Sequence, residues 1–122
     1  MKNFRTLVLA ALACAFAATG ALAHAFLDHA VPGVGATVQS APSEIELSFT
    51  QEITPAFSGA SVAAAEGGAV PTGKATVNAA SPNILHVPLG QKLKPGVYVV
   101  NWHVVSIDTH RSTGSYKFTV AP

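Results

Sequence analysis

The sequence predicts an all-β sandwich of about seven strands. Three observations carry this. Apolar and polar residues alternate with a period of two through several segments. Clusters of Pro, Gly, Ser and Asn separate those segments at short intervals. No stretch after residue 23 sustains a helical period. Several short strands with turns at this spacing suit two packed sheets.

In chain order, a short strand begins near Phe26 and ends before Pro32-Gly33. Ala41-Pro42-Ser43 then leads into Glu44-Ile45-Glu46-Leu47-Ser48-Phe49, where Ile45, Leu47 and Phe49 share one face. Residues 60–65 form a weaker strand, stopped by Gly67-Gly68, and residues 83–89 form another after Ser81-Pro82. Lys94-Pro95-Gly96 precedes a strand over 97–105 with Tyr98, Val100, Trp102 and Val104 on one face. Trp102 is expected in the core, the usual place for a sandwich tryptophan. His103 should point the opposite way. The last strand, over 115–120, turns Tyr116, Phe118 and Val120 inward. There is no repeat, low-complexity tail or internal linker, so one domain is expected.

The start of the chain reads differently. Met1-Lys2-Asn3-Phe4-Arg5 is short and basic, residues 6–21 are uncharged and apolar, and Ala21-Leu22-Ala23 is a small-x-small exit. That order defines a secretory signal peptide, expected over 1–23 and cleaved to leave a domain over 24–122. The run is too short and too alanine-rich for a membrane anchor, which needs roughly 20 strongly apolar residues. The mature protein is therefore not expected to span a membrane. Cys14 offers a rival start, as a lipidated cysteine, but Ala11 stands where Leu is usual and the apolar run continues past it.

Cleavage would leave Lys74, Lys92, Lys94, Arg111 and Lys117 against Asp28, Glu44, Glu46, Glu52, Glu66 and Asp108, a net charge of about −1. No basic patch suggests nucleic acid. Cys14 and Met1, the only Cys and Met, also fall within 1–23. The mature domain would have no disulfide and no soft sulfur ligand.

Five histidines lie after residue 23: His24, His29, His86, His103 and His110. In Ser106-Ile107-Asp108-Thr109-His110, Asp108 and His110 are two apart. In extended backbone they would share a face, about 7 Å apart at Cα, close enough to converge on one ion. Alone this pattern is weak, since Asp and His are common in polar loops. His24 strengthens it. As the first residue after cleavage it would carry a free α-amine and an imidazole, which chelate one ion together. An α-amine titrates near pH 8 and can lose its proton close to neutrality. Nitrogen and oxygen ligands in a tetragonal set point to copper(II). His24, Asp108 and His110 would fill a four-coordinate site. His86 shares a face with Ile84 and reads as a surface strand residue. His29 is near enough in sequence to His24 to approach the site, though a lone His is usually structural.

At these residues the chain resembles the periplasmic copper-resistance protein C (CopC) family. The resemblance covers the whole mature sequence. It rests on His24, Ile45-Glu46-Leu47-Ser48-Phe49, Phe57-Ser58-Gly59-Ala60 and, above all, the run from Pro95 to His110 with its Trp-x-Val-Val-Ser-x-Asp-x-His core. It implies an immunoglobulin-like Greek-key sandwich in the periplasm that binds copper(II). The ligands would be the amine and imidazole of His24, with Asp108 and His110. It also implies an inner-membrane copper transporter of the CopD type as partner. The methionine-rich copper(I) site of some members is not carried over, because no Met follows Met1. Some members place Glu where Gln51 follows Phe49-Thr50, which leaves a role for Gln51 open. The reading is a non-enzymatic, monomeric copper(II) protein for storage, transfer or resistance. Two other classes compete with it: a histidine-brace copper monooxygenase on a similar sandwich, and a metal-free structural sandwich.

Overall fold

The computed structural model describes residues 25–122. They form two sheets packed face to face, the sandwich the alternation predicts. One sheet holds β1 (Leu27–Val31), β3 (Glu44–Phe49), β7 (Ser81–Pro88) and β6 (Thr76–Asn78), in the order β1-β3-β7-β6. The other holds β2 (Thr37–Val38), β9 (Arg111–Val120), β8 (Gly96–Val105), β4 (Gly59–Ala64) and β5 (Ala69–Val70), in the order β2-β9-β8-β4-β5. A single 3-10 turn, Pro55–Phe57, interrupts the link from β3 to β4.

Six strands of five residues or more account for the periodic segments. The three short ones, β2, β5 and β6, have no period of their own and exist through their partners. Thr37 and Val38, for example, lie parallel to Thr119 and Val120. The alternation of β3 and β8 decides their faces. Ile45, Leu47 and Phe49 are buried, as are Tyr98, Val100, Trp102 and Val104, while His103 faces out. Tyr116, Phe118 and Val120 complete the layer from β9. The Trp102 indole meets the Phe49 ring edge-on, with centroids 5.1 Å apart, across the interface between the sheets. Edge-to-face pairs of this kind add about 0.5–1.5 kcal/mol beyond burial.

The feature that positions the site is the β8–β9 hairpin. Ten consecutive pairs run from Gly96↔Val120 to Val105↔Arg111. β9 begins four residues earlier than the alternation predicts. Its first half, Arg111-Ser112-Thr113-Gly114, has no apolar inner residue and is held by pairing to β8. Gly114 lies directly opposite Trp102, and a Cβ there would come 2.4 Å from Trp102 Cζ2. The glycine is the space that the indole occupies.

Candidate metal centre

The hairpin tip is Ser106-Ile107-Asp108-Thr109-His110. The extended backbone expected for Asp108 and His110 is not what forms there. Residues 107–109 turn, with Thr109 N–H donating to the Ser106 carbonyl at 2.9 Å and Ser106 N–H to the His110 carbonyl at 3.0 Å. Thr109 takes a φ of +71°. That left-handed conformation is unusual for a β-branched residue and stores about 1–3 kcal/mol of strain. The turn does more for the pair than an extended strand could. It brings Asp108 Oδ1 to 3.3 Å from His110 Nδ1.

Both side chains are reachable from solvent, 47% and 46% exposed, so an ion can enter without the fold opening. Behind them Ser106 is fully buried. Its hydroxyl donates to Asp108 Oδ1 and accepts from the His110 N–H at 3.3 Å. That hydroxyl, helped by the neighbouring His110 ring and opposed by desolvation, holds the Asp108 carboxyl below its ordinary value. Ser106 had no role in the sequence-based ligand set. Its place two residues before Asp108 was the available signal.

The N-terminal end of the described chain approaches the same end of the sandwich. Ala25 is buried. Phe26 N–H donates to Thr50 Oγ1 at 3.0 Å, and Thr50 N–H donates back to the Phe26 carbonyl at 2.9 Å. The segment that follows Thr50 supports the hairpin tip: Ile107 N–H donates to the Glu52 carbonyl at 3.2 Å, and Ile53 bridges to Ser106. Gln51 is half-buried within this segment. His24 lies outside the described residues. Among those described, no third His, Cys, Asp or Glu joins Asp108 and His110 in a ligand group.

The remaining histidines sit elsewhere. His29 is exposed on β1 opposite Ser48, and His103 is exposed on β8 opposite Gly59 and Thr113. His86 lies on the outer face of β7, opposite Glu46, with Nδ1 3.3 Å from Glu44 Oε1. The ligand atoms of Glu44, Glu46 and His86 fall within 4.8 Å of one another. This is a cross-strand polar group on a solvated sheet face, the surface position expected of His86.

A mostly antiparallel sandwich that offers Asp-x-His from the tip of its longest hairpin defines a class, the CopC-type domain. The family model described as CopC domain matches residues 27–121. The chain belongs to the CopC family. It is 38% identical over 114 residues to "Copper resistance protein C" of Xanthomonas campestris pv. juglandis, covering 89% of each chain. It is 39% identical over 112 residues to "Protein YobA" of Escherichia coli (strain K12), covering 92% of this chain and 90% of the other. Among solved structures, the crystal structure of CopC from Methylosinus trichosporium OB3b superposes with a TM-score of 0.76. It has 35% identity and covers 81% of this chain and 95% of that one.

Proposed function

We propose that this protein is exported to the bacterial periplasm, where it binds one copper(II) ion for storage, transfer or resistance without catalysing a reaction. The ligands are the α-amine and imidazole of His24, a carboxylate oxygen of Asp108 and an imidazole nitrogen of His110. The observation that carries this is the Asp108–His110 pair, 3.3 Å apart at an accessible hairpin tip. A two-residue pair needs further ligands to hold a metal tightly. Residue 24 adjoins Ala25 at the end of the sandwich that also bears the tip, and would supply two nitrogens once residues 1–23 are cleaved. Copper(II) is favoured by a nitrogen- and oxygen-only set and by the affinity order of the divalent metals. Copper(I) is disfavoured, because no thiol or thioether follows residue 23. The name of the Xanthomonas relative agrees with a copper-related role. A CopD-type transporter in the inner membrane is the proposed recipient or donor.

The test is copper(II) competition titration of the exported protein. His110→Ala and Asp108→Ala should each weaken binding by at least about tenfold and alter the tetragonal spectrum. Two variants that titrate like the parent would remove the pair from the site.

A further inference from the structure

One oxygen links both proposed ligand residues. Ser106 is fully buried, whereas residues 107–110 are exposed. Its backbone is fixed by the bridge to Ile53 and by the two hydrogen bonds that close the turn. A hydroxyl has one proton and two lone pairs. Here the proton goes to Asp108 Oδ1, and a lone pair takes the His110 N–H at 3.3 Å. The His110 carbonyl is also 3.3 Å from Ser106 Oγ, a geometry the single proton can serve only when it leaves Asp108. Asp108 Oδ1 is thus occupied on one side by Ser106 and faces His110 Nδ1 on the other. Oδ2 is the oxygen these contacts leave for a metal.

We propose that Ser106 is a positioning residue for copper(II): it holds Asp108 as a one-oxygen ligand and fixes the His110 backbone beside it, so that both residues meet the ion from a preset geometry. This rests on the reading of Asp108 and His110 as ligands. Outer partners of this kind fix the orientation of a ligand, and their loss typically costs about 10–100-fold in metal affinity. A buried hydroxyl anchored to the sheet suits that task better than any side chain of the exposed turn.

The experiment is a double-mutant cycle on the exported protein. It comprises the parent, Ser106→Ala, Asp108→Ala and the double variant, each titrated with copper(II) and examined by electron paramagnetic resonance. Ser106→Ala should lose about 10–100-fold in affinity and shift the copper hyperfine splitting. In the Asp108→Ala background the same change should cause a smaller further loss, because only the contact to the His110 N–H is then left for Ser106 to supply. A Ser106→Ala protein with the parent's affinity and spectrum overturns the proposal. So does an equal loss in both backgrounds, which would mark a merely structural role. If Asp108→Ala itself binds like the parent, the ligand assignment fails and not the Ser106 contact alone. A second measurement needs no variant. Infrared spectra of the unaltered copper-loaded protein, carboxylate-labelled at Asp, should show the splitting of a one-oxygen carboxylate ligand. A two-oxygen signature would mean that Oδ1 has left Ser106 and would overturn the proposal.

Discussion

The Tyr116 hydroxyl is buried in the core and has no hydrogen-bond partner among the described residues. Burial pushes its phenol up to about 12, from an ordinary 10.0. An unsatisfied buried polar group costs about 1–3 kcal/mol. Tyr116→Phe should therefore raise stability by about 1 kcal/mol, or about 4–8 °C in Tm for a domain of this size. The sign of the pH effect follows from the raised value. Folding holds the proton more tightly, so this contribution is complete below pH 10 and is lost as pH rises from 10 through 12. Denaturant titrations at pH 7 and 11 should show the Phe variant gaining further over the parent at the higher pH. A constant difference between the two would contradict the assignment. Asp108 runs the other way. Its carboxyl is held down chiefly by Ser106, so its contribution is present above the ordinary carboxylate value and is lost as pH falls through the lowered one. An NMR titration of the metal-free protein should place its midpoint below the ordinary carboxylate value of 3.8; a midpoint at or above that value would contradict the Ser106 hydrogen bond. Tyr116 could be read in the sequence as inward, and Asp108 as a candidate ligand. The orphaned hydroxyl could not be, since it depends on which neighbours reach it, and for the Ser106 contact the spacing from Asp108 was the one signal.

The β8–β9 hairpin shows how far alternation reaches. Tyr98 to Val104 and Tyr116 to Val120 have large apolar residues at every second position, so their faces were legible from residue type alone. The first half of β9 was not, because Ser112 and Gly114 put no apolar side chain on the inner face. Its strand form comes from pairing to β8, and its glycine from the indole opposite. Gly114→Ala places a methyl group 2.4 Å from Trp102 Cζ2, far inside contact distance. Overpacking of this sort costs about 1–3 kcal/mol. Trp102 is the only tryptophan, so denaturant unfolding followed by its fluorescence should show both the lost stability and a shifted native emission. An unchanged midpoint would mean that the indole does not lie over Gly114. The tip of the hairpin was legible as a candidate Asp–His pair but not as a turn. The left-handed Thr109 runs against the preference of a β-branched residue, and closure by Ser106 and His110 overrides it.

For the whole molecule, one core spans both sheets, and no cysteine follows Cys14 to staple it. A bound metal should then add visibly to stability. A ligand held only by the folded state at a hundred times its Kd stabilises by about 2.7 kcal/mol. Copper(II) should raise Tm at pH 7 and do so much less at pH 5, because protons compete with the metal for the proposed amine and imidazole nitrogens. Thermal scans with and without copper at the two pH values check this; an equal rise at both would leave carboxylates as the only ligands. The central claim is that the site is completed by the α-amine of His24 when residues 1–23 are removed. Before cleavage that nitrogen is an amide and cannot chelate as an amine. The direct measurement compares copper(II) affinity for two purified proteins, one beginning at His24 and one with a single extra residue before it. One residue at a terminus leaves the core untouched, so both should fold alike. The extended protein should bind several orders of magnitude more weakly, because a two-nitrogen anchor becomes a lone imidazole. Equal affinities would contradict the amine ligand and the role proposed for cleavage in assembling the site.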